Sequence, residues 1–182
     1  MANTFLKYKG FPTGASKVED DQSATLDEIY QAASQKSATP DYFVQLPSDL
    51  AVAKAIDAKE KRRIVANDQV AEDDIALDIG DQSIETMANT IKGAGTVIWN
   101  GPLGYTELPE FAHGSARLAL ALATQPETTS IIGGGDTADF VLKWDGNGGK
   151  SFTNVSTGGG AGLELMAGEK LPGVECLLDR YK

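Results

Sequence analysis

Cysteine occurs once, at Cys176, and histidine once, at His113, and these scarcities exclude a good deal. A lone thiol closes no intrachain disulfide, so a disulfide-stapled secreted fold is out of reach and a reducing, cytoplasmic compartment is the natural reading. His113 falls in a helical pattern with no serine or cysteine nucleophile motif near it, and Cys176 sits in an apolar C-terminal run; both read as structural. Positive charge is short as well. Sixteen Lys and Arg against 26 Asp and Glu leave a net charge of -10, whose long-range field repels phosphate backbones and anionic lipid. Nucleic acid and membrane surfaces are therefore poor partners. No apolar run reaches bilayer-spanning length. Residues 1–10, with Lys7, Lys9 and a short apolar patch, lack the charged start, long apolar run and cleavage site of a signal peptide. Internal repeats and low-complexity tracts are missing too.

Glycine, by contrast, is present 20 times, and hydrophobic residues at 41% suffice for one domain with a real core. In so acidic a chain an anionic ligand must be held by local dipoles, and backbone N–H groups at helix starts supply them whatever the global charge. Apolar runs bounded by Gly, Asn or Asp alternate with helical spacing, the signature of strand-helix units around a parallel sheet. Strands are expected over residues 42–46 (closing at Pro47), 64–66, 96–99, 129–132 and 153–156. Leu26, Ile29 and Ala33 mark a helix that ends before Pro40. Ile84, Met87, Ala88 and Ile91 mark another, with Gly93 placed to end it in a left-handed conformation. Phe111, Leu118 and Leu122 mark a third, after Pro109. The charged clusters at 59–63 and 72–74 read as solvated surface, and 145–149 as a flexible turn. The sum is a layered α/β architecture.

Three glycine-bearing turns each follow an expected strand: Trp99-Asn100-Gly101-Pro102-Leu103-Gly104, Gly133-Gly134-Gly135-Asp136-Thr137 and Ser156-Thr157-Gly158-Gly159-Gly160. In a parallel sheet all strand C-terminal ends share one edge, so the three should converge on a single crevice. Glycine there lets the backbone approach a ligand and lets N–H groups gather on an anion; the fitting ligand is a polyphosphate. A carboxylate at such a turn, Asp136, repels phosphate unless a cation lies between them, and magnesium, held by one or two carboxylates plus phosphate oxygens, resolves the conflict. The plainer alternative makes Asp136 the N-cap of a helix starting at Thr137, and each glycine run a tight turn and nothing more. Glu107 has the place of an acidic residue that accepts ribose hydroxyls, or of a solvated surface residue. Neither the Gly-Lys-Ser/Thr phosphate loop nor the Gly-x-Gly-x-x-Gly dinucleotide fingerprint is present, which argues against a Rossmann-type oxidoreductase.

In this order the landmarks resemble those of phosphoglycerate kinase. Ala76-Leu77-Asp78-Ile79-Gly80 is similar to the family's Gly-Leu-Asp-x-Gly segment. It is followed by residues 97–104, 131–137, 156–161 with Leu163-Glu164-Leu165, and Leu171-Pro172-Gly173-Val174. Residues 1–7 resemble a helix start that is internal in complete members. The resemblance implies a Rossmann-like, three-layer α/β fold, a parallel sheet with helices on both faces. Residues 1–182 would be the C-terminal nucleotide-binding domain without its first strands, and the N-terminal phosphoglycerate-binding domain would be absent.

The family's reaction is reversible phosphoryl transfer from 1,3-bisphosphoglycerate to ADP, giving ATP and 3-phosphoglycerate, in a cytoplasmic glycolytic enzyme that is a monomer. By resemblance, Asn100 and Pro102 line the nucleotide site together with Ala76, Leu77 and Tyr105, and Glu107 holds the ribose. Gly133 and Thr137 belong to the second phosphate turn, Asp136 positions the Mg2+ complex of ADP or ATP, and Gly134, Gly135 and Gly159 offer N–H groups to the phosphoryl group in flight. The family's catalytic lysines and arginine have no matching motif here, so this half is expected to bind magnesium-nucleotide weakly and to catalyse nothing alone, the phosphoglycerate substrate requiring the missing domain. A stand-alone, non-catalytic adenine-nucleotide module is the alternative. The chain departs from the family at Ala76, usually glycine; at Tyr105 and Thr106, where a smaller aliphatic and an aromatic residue are usual; and at Gly162, usually a small hydroxyl residue.

Overall fold

The computed structural model describes residues 1–37, 43–156 and 158–178. They fall into two compact units, Met1–Ala88 with Leu103–Arg117, and Asn89–Pro102 with Leu118–Lys182. The first contains α1 (Ala2–Tyr8), α2 (Ser23–Lys36), β1 (Asp49–Ala53), β2 (Arg63–Ala66), β3 (Ile75–Ile79) and a 3-10 turn at Pro109–Phe111. Its sheet has the order β2-β1-β3, with both neighbours antiparallel to β1.

Every residue of β1 is buried, so both of its faces need cover. Side chains alternate across a strand, and the two faces are different in kind. Leu50 and Val52 join Leu6 and Val70 in one cluster. The small Ala51 and Ala53 leave room on the other face for Phe111, fully buried, beside Leu77. In α2, Leu26 and Ala33 are buried as their spacing implied, whereas Ile29 is exposed.

Several sequence expectations need correction in this unit. Residues 43–46 form no strand, and Tyr42 lies outside the described residues; the strand begins at Asp49, beyond Pro47. The sheet is antiparallel, where only parallel strands were expected. The cluster at 72–74 is not all solvated surface: Asp74 is fully buried, bonded to the Arg63 guanidinium and to Lys54 Nζ, the latter at 2.8 Å. Burial pushes its carboxyl up, but the Lys54 and Arg63 cations and the Ala71 amide outweigh that and hold it below the ordinary range. Nor is Arg62 surface, since its side chain is only 10% exposed.

Helices α3 (Asp81–Ile91) and α4 (His113–Ala123) each run from one unit into the other. The second unit further holds β4 (Thr96–Asn100), β5 (Thr129–Gly133), α5 (Gly135–Asp145), β6 (Asn154–Val155), α6 (Ala161–Met166) and α7 (Pro172–Leu178). Its sheet is parallel, in the order β4-β5-β6, as the alternating pattern implied, which makes the fold α/β. Trp99, Ile132, Ala138, Val141, Leu122 and Phe152 are buried, with Trp99 meeting Phe140 edge-on at 6.2 Å between ring centres.

Gly93 does not take the left-handed conformation expected of it; the turn closes instead through the Ala94 N–H on the Ile91 carbonyl. The turn at 145–149 is tied rather than loose, because the Asp145 carboxylate accepts the amides of Asn147 and Gly149 and the Ser151 hydroxyl.

Candidate functional site

Parallel pairing aligns Asn100 with Gly133 and Ile132 with Val155. The three glycine turns therefore leave the sheet side by side at one edge. The Ser156 N–H, opening the third, donates to the Ile132 carbonyl at 2.8 Å. Close approach explains the glycines of the second turn. A Cβ at Gly133 or Gly134 would lie 2.9 or 3.3 Å from Asn100 Oδ1, and Gly134 has φ +82°, a region that side chains disfavour.

A buried hydroxyl fastens the first turn to the second. Thr137 is fully buried, and its Oγ1 accepts the Gly101 N–H at 2.8 Å. Trp99 Nε1 donates to the Gly101 carbonyl at 2.7 Å, holding the same turn from its other side. Pro102 is half-buried.

Asp136 is not an N-cap. Helix α5 starts at Gly135, its N-cap is Gly134, no side chain caps it, and Asp136 stands exposed in the first turn. The first-turn amides of a helix have no intrahelical acceptor, so this uncapped end suits an anion. Gly135 is exposed, and a Cβ there would meet nothing within 4 Å. In the third turn Gly158, Gly159 (φ +57°) and Gly160 are exposed, and Thr157 lies outside the described residues. Asp136 is the only charged residue among 100–102, 133–137 and 158–160.

No cluster of three or more His, Cys, Asp or Glu able to hold a metal occurs among the described residues. Among those residues, a metal held by protein alone thus has no ligand set of that size. A divalent ion that arrives on phosphate oxygens needs only one or two carboxylates, and exposed Asp136 beside an open helix start fits that role.

The other anticipated residues belong to the first unit. Ala76 is half-buried on β3, donates its N–H to Ser16 Oγ at 2.9 Å and packs against the Leu6 cluster. Leu77 is buried beside Phe111. Its carbonyl accepts the Tyr105 N–H at 2.7 Å, which stations Tyr105, 39% exposed, with Glu107 exposed two residues on.

Between Leu77 and Ile79 lies a residue that sequence reasoning quoted only as a motif letter. Asp78 is 5% exposed. Its Oδ2 accepts the Gly114 N–H at 2.9 Å, on the first turn of α4, and its Oδ1 accepts the Ile79 N–H at 2.8 Å. Its backbone pairs with Gly104 in an isolated antiparallel bridge. Burial raises its carboxyl from 3.8 to about 6, against the opposing pull of the Gly114 and Ile79 amides, Arg62 and the His113 amide. The available signal was an acidic residue inside an apolar strand, a place where a charge must find donors.

Comparison with known proteins follows the same residues. The family model for phosphoglycerate kinase matches residues 1–169. Curated relatives of that description include those of Moorella thermoacetica, 43% identical over 99% of this chain and 44% of theirs, and Bdellovibrio bacteriovorus, 39% identical over 100% of this chain and 44% of theirs. The solved structure of phosphoglycerate kinase from Coxiella burnetii superposes with TM-score 0.85 at 34% identity, over 98% of this chain and 44% of that one. That from Pyrococcus horikoshii OT3 gives 0.67 at 28%, over 97% of this chain and 43% of its own. The chain thus spans less than half the length of the relatives it matches. With the family model covering most of its length and the strand-end turns standing in the family's order, the chain belongs to the phosphoglycerate kinase family.

Proposed function

We propose that this chain binds adenine nucleotide as the magnesium complex of ADP or ATP, as the nucleotide half of reversible phosphoryl transfer between 1,3-bisphosphoglycerate and ADP. The observation that carries the reading is the common edge of the parallel sheet. There three glycine turns emerge together, two of them fastened by the Thr137 hydroxyl, beside an α5 start that no side chain caps. Gly133, Gly134, Gly135 and Gly159 with Asn100 and Pro102 face the phosphates in this reading, the buried Thr137 supports them by fastening two of the turns, and Asp136 holds the metal ion. Ala76, Leu77, Tyr105 and Glu107 serve the adenosine, mostly through backbone and exposed surface, since Leu77 is committed to the core. When bound, the divalent ion would neutralise phosphate charge; the chain's residues orient the phosphates.

The same turns lack the other ingredient of phosphoryl transfer. Catalysis of this class rests on positioning plus positive charge around the equatorial oxygens, and the three turns contain no lysine or arginine. The chain therefore binds nucleotide without turning it over. Phosphoglycerate would be bound by protein that this chain does not contain. A cytoplasmic setting agrees with the lone free Cys176, and no helix among the described residues is long and apolar enough to cross a membrane.

Calorimetric titration of the full chain with ADP plus Mg2+, alongside inorganic tripolyphosphate, tests the first part. Saturable binding of both is expected, and no binding of either overturns the reading. A coupled assay is expected to give no turnover; turnover at the rate of an intact enzyme would refute the inertness.

A further inference from the structure

We propose that Asp78 is the positioning residue of the adenosine half of this site, setting the chain's affinity for the nucleoside by fixing the turn that presents Tyr105 and Glu107. The proposal rests on the nucleotide reading above and adds to it a residue that touches no ligand.

The argument begins with cost. An aspartate only 5% exposed in a strand is tolerated when donors surround it, and here one comes from the next residue and the other from a distant part of the chain. The Gly114 amide, 36 residues away in sequence, reaches Oδ2, and the Ile79 amide reaches Oδ1. Two glycines make room for the carboxylate. A Cβ on Gly104 would lie 2.6 Å from Asp78 Oδ1 and 2.5 Å from the Phe111 carbonyl, and a Cβ on Gly114 would lie 2.6 Å from the same Oδ1. Gly104 also adopts φ +127°, a strained region for any other residue.

Residues 103–114 are thus folded around this carboxylate. The segment enters through the Asp78–Gly104 bridge and is fixed at once by the Tyr105 N–H on the Leu77 carbonyl. It is held at its far end by the Gly114 amide on Asp78. Ser115 Oγ accepts the Leu103 N–H at 2.9 Å and closes the loop upon itself. Glu107 lies at the exposed crest, its place determined by the two anchored ends. A ligand-facing residue on such a crest is as well placed as its supports.

A merely structural aspartate and a positioning aspartate predict different results in a double-mutant cycle. Binding of adenosine, ADP and inorganic tripolyphosphate is measured on the full chain as wild type, Asp78→Asn, Glu107→Gln and the double variant. Amide exchange at Tyr105, Gly114 and Ser83 is followed in parallel. Asparagine keeps the shape but places an N–H donor against one of the two amides. The expected outcome is a loss of about tenfold in adenosine and ADP affinity, or about 1.4 kcal/mol, with tripolyphosphate unchanged. Tyr105 and Gly114 should exchange faster while Ser83, held by Asp49, keeps its protection. Glu107→Gln should weaken adenosine binding in the wild type and add nothing in the Asp78→Asn background.

Additive effects of the two substitutions, or unchanged adenosine affinity in Asp78→Asn, overturn the inference and leave the nucleotide reading standing. Failure of the wild type to bind any of the three ligands overturns the nucleotide reading itself and the inference with it. If Asp78→Asn also loses protection at Ser83, Gly104→Ala displaces the same turn with the charge intact and takes its place in the cycle, with the same outcomes deciding.

Discussion

Replacing Asp78 by asparagine should change how stability depends on pH, and the size and sign follow from its burial. Its carboxyl titrates at about 6 in the folded chain against an ordinary 3.8, so the folded state holds the proton more tightly than the unfolded one. The stabilising contribution is therefore complete below the unfolded value and is lost as pH rises through the folded one, a window of about pH 4 to 6. The gap of roughly two units corresponds to about 3 kcal/mol across the whole window. Of this, about 1.3 kcal/mol is recovered on going from pH 7 to pH 5. Asp73, Asp74 and Asp145 are held below the ordinary range, so they act with the opposite sign and only below about pH 4. Urea unfolding at pH 7, 6 and 5 is the assay. With a slope of about 2 kcal/mol per molar, the wild-type midpoint should rise by roughly 0.6 M relative to that of Asp78→Asn. Identical pH dependence in the two proteins, or a wild-type midpoint that falls relative to the variant as pH drops, refutes the reasoning.

Four further substitutions probe the rest. Thr137→Val removes the acceptor of the Gly101 amide while keeping the volume, so it should cost about 1–2 kcal/mol and speed exchange at Gly101 first. Gly80→Ala would set a Cβ 2.2 Å from the Asp49 carboxyl carbon and should cost about 2 kcal/mol or more in thermal or urea unfolding; Gly95→Ala, where a Cβ meets nothing within 4 Å, should be nearly neutral. Asp136→Asn should weaken binding of magnesium-ADP and strengthen that of metal-free ADP, because it removes both a metal ligand and a charge that repels phosphate; calorimetry in the presence and absence of Mg2+ reads the crossover.

The strands most legible in the sequence are those that end in a glycine turn. β4 and β5 run into Asn100-Gly101 and Gly133-Gly134-Gly135, where the end of the apolar run and the change of backbone conformation coincide. β1 carries no such mark. Its Asp-Leu-Ala-Val-Ala is buried at every position, so no polar residue alternates to show the period, and an apolar run of four after Asp49 is equally a piece of buried helix. Residues 43–46, by contrast, look more strand-like than β1 and form none, with Phe43 60% exposed. β3 was legible only as the segment Ala76 to Gly80, and its antiparallel pairing with β1 lies in contacts between residues some 25 apart that no local pattern carries.

Glycine content points toward anion-binding turns, and in three places the anion is the protein's own. Gly80 is small because the Asp49 carboxylate lies against it, and Gly104 and Gly114 because the Asp78 carboxylate does. Both aspartates do for helices what a ligand phosphate would do. Asp49 accepts the first-turn amides of Gln82 and Ser83 at 3.0 and 2.8 Å, and Asp78 accepts that of Gly114, each placing negative charge at the positive end of a helix dipole. Of the three eleven-residue helices, α3 and α4 are thus already satisfied from within, and α5 alone begins without a side-chain cap. Counting glycines does not separate these cases. Asking which of these three helix starts lacks an internal carboxylate does, and it selects Gly134-Gly135-Asp136, so a carboxylate engineered to reach those amides should compete with phosphate for the same site.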